Sequence, residues 1–225
     1  MQDDRVEFVG TGGDFFVFGL IQGVLVLLTL GIYFLLLPGA VKNWKLSRTL
    51  VEGVPMRHKG SLLDGLGSIL ANFLLIVCSA GLAMPWIVAR NKRYDLEHTF
   101  LEDGRRFTFA GSGGQVIGQF LIGLVAIPCT LGLAFPWVYA MWKRWEWDNT
   151  RLSNDRADTS MRGSLALESV GSGGWREATF DGQGSEFFGI HLVNTLLSIA
   201  TFGLYGAWGA VKLFRWEFEH VTFAA

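Results

Sequence analysis

The sequence predicts a mainly α, polytopic membrane protein, on the basis of its composition, the placement of its charges and an internal repeat. Half of the 225 residues are hydrophobic and 17% are charged, whereas soluble domains usually carry about 25% charged residues. Four stretches contain no Asp, Glu, Lys or Arg, and they are residues 15–41, 65–89, 116–142 and 187–211. Each is longer than the roughly 20 apolar residues that cross a bilayer as a helix.

An apolar phrase with a central glycine occurs four times, as TLGIYFLL, SAGLAMPW, TLGLAFPW and TFGLYGAW. We use its glycines as anchors, and they are Gly31, Gly81, Gly132 and Gly203. The same residue types recur at fixed distances from each anchor, which predicts four tandem repeats of one unit. Units 1 to 4 are residues 1–50, 51–100, 101–152 and 175–225, and the polar, Gly/Ser-rich residues 153–174 are an insertion or linker.

Each unit has one order of elements. It begins with a short alternating segment such as RFTFAG, which predicts a strand. An acid or amide then opens an apolar helix, the Gly phrase follows as a turn, and a basic, Trp-rich helix ends the unit. The predicted architecture is therefore four helical hairpins with a small cytoplasmic β layer.

The basic residues favour a chain that turns back at each Gly phrase. All 19 Lys and Arg residues lie outside the charge-free stretches, so single crossings would place alternate basic tails on opposite sides, against the positive-inside rule. Hairpins keep the termini and all basic tails in the cytoplasm, and Pro85 and Pro136 then stand in the first turn of returning helices. Because each arm has only about 17 residues, or roughly 25 Å, single spans and re-entrant hairpins stay open as alternatives.

Units 3 and 4 resemble a known family. Unit 3 contains RFTFAGSGGQVIGQFLIGLVAIPCTLGLAFPWVYAMWKRWEWDNTRL, and unit 4 contains ATFDGQGSEFFGIHLVNTLLSIATFGLYGAWGAVKLFRWEFEH. Both are similar to the repeating unit of the DUF898 family, the bacterial inner-membrane proteins of the YjgN type, and units 1 and 2 are similar to it less closely. The resemblance implies a protein of the bacterial cytoplasmic membrane, and it implies no activity.

Three amides and one histidine lie inside the charge-free stretches. Gln22, Asn72 and Asn194 each precede an anchor glycine by nine residues, and His191 is the histidine. Polar groups within a bilayer need partners, so hydrogen bonds between helices are one interpretation. The functional alternative is a polar path for a substrate or water, with His191 as an ionisable group in it.

Basic and aromatic side chains of the tails form a candidate lipid-headgroup site. These residues are Arg93, Lys143, Arg144, Trp145, Arg215 and Trp216. They would set the topology, bind anionic headgroups, or do both. Acids in the same tails indicate local ion pairing along a helix face, which weakens the case for lipid.

No sequence pattern indicates an enzyme. The Gly-rich turns GTGGD, GSGGQ and GQGSE lack the Lys and Ser/Thr of a phosphate-binding loop and are interpreted as helix N-cap turns. The two cysteines, Cys78 and Cys129, lie in apolar segments, and the four histidines lack the spacing of metal ligands. We expect no catalytic residues, no cofactor and no metal, and a net charge of −1 gives no attraction to nucleic acid.

The leading hypothesis is a non-catalytic integral membrane protein of the bacterial inner membrane. It would be a scaffold or accessory subunit of a membrane assembly, or a lipid-associated structural protein. Its partners would be the lipid bilayer and other membrane-protein subunits. The alternative is a small transporter or channel whose path is lined by the intramembrane amides, because internal repeats and broken helices are common in transporters.

Overall fold

The computed structural model describes residues 5–59, 71–72, 74–154 and 174–224. Most of the predicted insertion, residues 155–173, lies outside the described residues. In chain order the elements are β1 (Val6–Phe8), α1 (Gly12–Leu28), a 3₁₀ helix (Ile32–Leu35), α2 (Leu37–Leu46), β2 (Thr49–Val51), β3 (Val54–His58), α3 (Met84–Glu97), β4 (Thr99–Leu101), β5 (Phe107–Phe109), α4 (Gly113–Cys129), α5 (Phe135–Asp148), β6 (Thr150–Ser153), β7 (Trp175–Phe180), α6 (Gly184–Ala200), α7 (Gly206–Glu219) and β8 (Val221–Phe223). Residues 71–72 and 74–78 are also helical.

The prediction of a mainly α, polytopic membrane protein is wrong. Among the residues that the structure describes, no helix is long and apolar enough to cross a membrane, and the strands form two four-stranded antiparallel sheets. The charge-free stretches are misleading because each described hairpin divides one of them: residues 116–142 are shared between α4 and α5. With 17 residues, α4 is about 25 Å long, whereas a bilayer core is about 30 Å thick.

Two consecutive residues with positive φ reverse each hairpin. In unit 3 they are Leu131 and Gly132, with φ of 52° and 92°. The N–H of Gly132 donates to the carbonyl of Ile127 at 2.8 Å, which is the closing bond of a Schellman-type helix end. The Thr130 hydroxyl accepts the N–H of Ala134 at 2.9 Å and so ties the two arms together. The same positive φ occurs at Gly31, Gly81 and Gly203.

The eight described strands close into a ring. Each unit contributes the strand that opens it and the strand that closes it, and these two strands pair: Phe109 of β5 lies opposite Thr150 of β6. The first sheet has the order β1-β2-β3-β4 and the second β5-β6-β7-β8. Single bridges join the sheets at both edges, and they connect Arg5 with Thr222 and Phe100 with Arg106.

The hydrophobic core lies between the strand ring and the Trp-bearing ends of the returning helices. Alternate strand residues are buried, as Phe107 and Phe109 are. The Phe109 ring meets the Trp145 ring edge-on with centroids 5.3 Å apart, and Phe180 meets Trp216 in the same way at 5.5 Å. These pairs make the Trp-rich tails part of the core, and buried aromatic pairs contribute strongly to stability.

Neighbouring hairpins interlock where a Trp of one unit covers a glycine of the next. Three such contacts are described, and they are Trp86 on Gly113, Trp137 on Gly184 and Trp208 on Gly12. The third joins unit 4 to unit 1, and α7 packs against α1. Units 1 and 2 are linked by Lys42 and Asp95, so the hairpins form a closed ring on top of the strand ring.

We predict that Gly184→Ala destabilises this ring. A Cβ at Gly184 would lie 2.7 Å from Cδ1 and 2.8 Å from Cα of Trp137, and such overpacking costs about 1–3 kcal/mol. Gly189→Ala is the matched control in the same helix, because nothing lies within 4 Å of its Cβ position. Helix propensity should make this control more stable by roughly 0.5–1 kcal/mol. Denaturant unfolding of both variants in detergent solution measures the difference, and equal midpoints would contradict the prediction.

Candidate functional site

A chain of ion pairs runs from unit to unit through the returning helices. Its members stand 11 and 14 residues after the anchor glycines, a spacing that puts both positions on one helix face. The lysine at the first position of one unit contacts the carboxylate at the second position of the next unit. The pairs are Lys42–Asp95 at 2.6 Å, Lys92–Glu146, and Lys143–Glu217 at 2.9 Å.

The junction between units 4 and 1 uses different residues. Phe214 stands where the other units have a lysine, and Lys45 stands where they have a carboxylate. The Lys45 Nζ atom lies 4.9 Å from the centre of the Phe214 ring, which is a cation–π contact. The same Nζ lies 2.7 Å from Glu217 Oε2. Attraction therefore operates at every junction, and we call this set of contacts the ion ring.

Burial makes the charged groups around Glu146 and Glu217 depend on one another. Burial alone would raise the pKa of Glu217, but the charges of Lys143 and Lys45 outweigh it and lower that pKa to about 2. Burial would also raise the pKa of Glu146, which Lys143 and Lys92 hold well below its usual range. Burial lowers the pKa of Lys45, and the attraction of Glu217 does not offset the change. For Lys143 the attraction of Glu146 and Glu217 outweighs burial and raises the pKa.

A second buried cluster connects the turns of the strand ring. Glu52, between β2 and β3, contacts Arg105 Nη1 at 2.6 Å and also contacts Arg176. Burial would raise the pKa of Glu52, but hydrogen bonds from the two guanidinium groups lower it. The cluster therefore connects three places in the strand ring, which are the turn between β2 and β3, the segment between β4 and β5, and β7.

The ion ring lines a cavity of about 510 Å³ to which all four units contribute. Its charged lining residues are Lys42, Lys45, Lys92, Asp95, Lys143, Glu146 and Glu217. Its apolar lining residues include Phe34, Leu37, Pro38, Val41, Leu46, Leu96, Trp147 and Phe218. We call this space the central cavity, and its volume lies in the range of roughly 300–1,000 Å³ that small-molecule sites occupy.

The amides predicted as a polar path do not line the central cavity. Gln22 accepts a hydrogen bond from the Tyr33 hydroxyl at 2.8 Å, and Asn194 donates to the carbonyl of Gly209 at 3.2 Å. Asn72, at the equivalent position of unit 2, is also buried. The described bonds of Gln22 and Asn194 each join the two arms of one hairpin.

His191 is part of an aromatic cluster. Its ring stacks on Phe187 with centroids 5.9 Å apart, and it lies 5.8 Å from the Phe135 ring. This position is the contact between α5 and α6, outside the central cavity.

Three of the predicted lipid-headgroup residues serve the fold. Trp145 and Trp216 are buried in the core, and Lys143 belongs to the ion ring. Their side chains therefore leave little surface for a headgroup.

The arginines of the same set keep an exposed surface, and they are Arg93, Arg144 and Arg215. Arg144 donates to the carbonyls of Phe180 and Gly182 at 3.4 Å each. Arg93 makes the equivalent bonds to unit 3. Both arginines thus hold the opening strand of the next unit, and headgroup binding by the arginines stays a prediction.

Sequence reasoning missed the ion ring, although its signal is present. It paired the acids of the tails with bases on the same helix, and Lys143–Glu146 is such a pair. Lys42–Asp95 and Lys92–Glu146, in contrast, join helices of neighbouring units. Aligning the charges of the four units would have placed the lysines at one repeat position and the acids at another.

The far ends of the hairpins are apolar and uncovered. Leu30, Leu131 and Phe202, which directly precede anchor glycines, are 94%, 95% and 99% exposed. We call these three residues the hairpin tips. Exposed Leu, Ile and Val side chains continue from the tips along α1, α4 and α6. Large exposed apolar patches mark interaction or membrane surfaces.

A family model identifies the fourth unit. The model of DUF898, described as a bacterial protein of unknown function, matches residues 176–225. The DUF898 assignment is confirmed over this unit. The DUF898 match includes α6, α7 and β8, and with them Phe202 of the tips and Glu217 of the ion ring. No curated protein and no solved structure matches the chain.

We predict that Glu217→Gln strongly destabilises this DUF898 unit and the whole ring. The variant leaves Lys45 and Lys143 buried without the carboxylate that both contact, and breaking a buried ion pair costs about 3–5 kcal/mol. The matched control is Glu177→Gln, whose partner Arg151 is 44% exposed and which is itself 62% exposed. That exposed pair contributes at most about 1 kcal/mol. Urea unfolding of both variants tests the difference, and similar losses would refute the role of the ion ring.

The lowered pKa of Glu217 predicts that the stability of the fold is sensitive to acid. The pKa of Glu217 is about 2 in the folded chain against an ordinary value of 4.5. A lowered pKa means that its stabilisation is complete above pH 4.5 and is lost as the pH falls towards 2. The free energy of unfolding of the wild type should therefore decrease across this window, and that of Glu217→Gln should decrease less. Denaturant titrations at several acidic pH values measure both slopes, and parallel slopes would contradict the prediction.

Proposed function

We propose that this chain is a non-catalytic, lipid-associated structural protein that attaches to the cytoplasmic face of the bacterial inner membrane through its hairpin tips. The observation that carries the proposal is the almost complete exposure of Leu30, Leu131 and Phe202. Exposure of these apolar side chains to water is unfavourable at the ends of three projecting hairpins, whereas their transfer into lipid is favourable.

The backbone of the tips supports a lipid-facing turn. Leu30, Leu131 and Phe202 have φ of 51°, 52° and 50°, a conformation in which Asn and Asp are enriched and apolar residues are rare. A left-handed residue costs roughly 1–2 kcal/mol, and burial of one Leu or Phe side chain in hydrocarbon contributes about 1.5–3 kcal/mol. Insertion of the tips into lipid therefore offsets the cost of placing apolar residues in this turn.

Charge and apolar surface lie at opposite ends of the ring. The ion ring and the strands form one end, and the tips within the charge-free stretches form the other. Amphipathic elements of this kind insert their apolar part below the headgroups and keep their charged part in water. We propose that the hairpins enter from one side, with the strand ring in the cytoplasm.

The closed ring supports a structural role. Its buried lysines and carboxylates are paired with one another, and its described amides join the arms of hairpins. We propose that it serves as a scaffold or accessory subunit that holds apolar hairpins in a fixed arrangement for other membrane proteins.

We predict that the combined variant Leu30→Asp, Leu131→Asp and Phe202→Asp loses lipid binding. Asp tolerates a left-handed φ better than most residues, and the replaced side chains are almost fully exposed, so folding should be preserved. Flotation with vesicles of phosphatidylethanolamine and phosphatidylglycerol measures binding. Wild-type protein should float, and the affinity of the variant should fall more than tenfold.

Val9→Asp is the control, because Val9 is apolar and 47% exposed but lies beside the strand ring rather than at a tip. This control should float like the wild type. High salt should not release the wild-type protein, since apolar insertion is not screened by ions. Flotation of the triple variant at the wild-type level, or release of the wild type by salt, would contradict the proposal.

A further inference from the structure

The two helices of unit 3 form a polar pocket that shares no lining residue with the central cavity. Its volume is about 370 Å³, within the range of roughly 300–1,000 Å³ that small-molecule sites occupy. Met141 and Trp145 contribute its apolar surface. The polar residues that line it are Gln115, Gln119, Arg144, Asp148 and Asn149. We call this space the unit 3 pocket.

The unit 3 pocket contains a guanidinium and a carboxylate that are not paired with each other. Arg144 donates to the carbonyls of Phe180 and Gly182, and Asp148 accepts the N–H of Phe180 at 3.2 Å. Among the described residues, neither side chain forms an ion pair. The two residues are four apart in α5, so they lie on one helix face with their Cβ atoms about 5–6 Å apart. A cation and an anion that both lack a charged partner favour a ligand that carries both charges.

Three amides supply further hydrogen-bonding groups. Gln115 Oε1 accepts the N–H of Ser112 at 2.9 Å, which leaves the Nε2 group as a donor. Gln119 Oε1 is shielded from solvent, so the Nε2 group is the part of this amide that is available to a ligand. Asn149 Nδ2 donates to the carbonyl of Trp145 at 2.8 Å, which leaves Oδ1 as an acceptor. The pocket therefore offers two amide donors and one amide acceptor beside the two charges.

This combination of polar residues is specific to unit 3. Gln119 precedes its anchor glycine by 13 residues, and the other units have Phe18, Ser68 and Ile190 at that position. Glu186 of unit 4, the equivalent of Gln115, contacts His220 Nε2 at 3.2 Å. His220 is itself the equivalent of Asn149. These polar groups of unit 4 bind one another, whereas those of unit 3 are available to a ligand.

The distance from the unit 3 pocket to its hairpin tip is close to half the thickness of a bilayer core. Gln119 precedes Leu131 of the tips by 12 residues, or about 18 Å of helix. Arg144 follows the anchor Gly132 by 12 residues as well. Half of a hydrocarbon core is about 15 Å. A tip that reaches the middle of the bilayer therefore places the pocket among the lipid headgroups.

We propose that the unit 3 pocket binds the phosphoethanolamine headgroup of a phospholipid. The phosphate accepts hydrogen bonds from Arg144 and from the Nε2 groups of Gln115 and Gln119. The primary ammonium donates to Asp148 and to Asn149 Oδ1. A free phosphoethanolamine ester has the same chemistry, and the choice of a lipid as the source rests on the proposed attachment of the tips to the membrane.

Isothermal titration calorimetry of glycerophosphoethanolamine into the full chain in a maltoside detergent tests the headgroup site. This probe has no acyl chain, so the hairpin tips do not contribute to its binding. We expect one saturable equivalent. Glycerophosphocholine, which has the same charges but no N–H donor, should bind about tenfold more weakly, and so should glycerophosphoglycerol, which has no cation. Equal affinities for the three esters, or no saturable binding, would overturn the proposal.

Asp148→Asn separates a headgroup contact from a structural role. Asparagine keeps an oxygen for the N–H of Phe180 but removes the negative charge, so the affinity for glycerophosphoethanolamine should fall about tenfold. The affinity for glycerophosphoglycerol should not fall. The matched control is Glu219→Gln, at the equivalent position of unit 4, which should change neither affinity. Equal losses for both esters in Asp148→Asn would indicate a structural role and refute the contact.

Gln119→Ile copies unit 4 into the unit 3 pocket. It removes a donor to the phosphate, which all three esters share, so the affinities should fall together and their order should remain. The melting temperature of the variant should stay close to that of the wild type, because Ile190 occupies the equivalent position of unit 4. Wild-type affinity in this folded variant would exclude Gln119 from the site.

Vesicle flotation distinguishes the lipid from the free ester and this inference from the proposed function. Vesicles of phosphatidylethanolamine and phosphatidylglycerol should bind the wild type more tightly than vesicles of phosphatidylcholine and phosphatidylglycerol, and Asp148→Asn should remove this preference. The triple Asp variant of the tips should still bind glycerophosphoethanolamine. A wild type that floats but does not bind the ester refutes the pocket and leaves the attachment intact. A wild type that binds the ester but shows no preference between the vesicles refutes the lipid as its ligand.

Discussion

Attraction between consecutive units is the constraint on which the rest of the structure depends. A lysine of one returning helix meets a carboxylate of the next, and Lys45 with Phe214 and Glu217 completes the circle. Because Lys45, Lys143 and Glu217 are largely buried, each needs its partner, and the helices that carry them cannot shift independently. Closure of the ring fixes which faces of the hairpins are covered and which remain exposed.

The ring explains how a small chain stabilises several short helices. Each hairpin buries its basic, aromatic end against the strand ring and leaves its tip without a core, so the tertiary contacts are concentrated at one end. The Trp–Gly contacts between hairpins and the Phe–Trp pairs above the strands reinforce the same end. The apolar ends are then left exposed, and the ion ring borders the central cavity.

Local features were predictable because they depend on residues near one another in the chain. The glycine anchors require a left-handed backbone, Pro85 and Pro136 suit the first turn of a helix, and the alternating aromatic segments are strands. The predicted fold class was wrong because it was inferred from hydropathy, which records only how much apolar sequence is present. It does not record that a turn divides that sequence into helices of about 25 Å.

The sequence by itself determined the repeat, its turn and the separation of charged tails from apolar arms. Only the tertiary structure decided the partners of the charges, since Lys42 and Asp95 are 53 residues apart in the chain and meet because the units close into a ring. It also decided that Trp145 and Trp216 are core residues rather than interface residues. A core Trp and an interface Trp have the same local sequence pattern. The difference between them arises from which neighbouring unit covers the side chain.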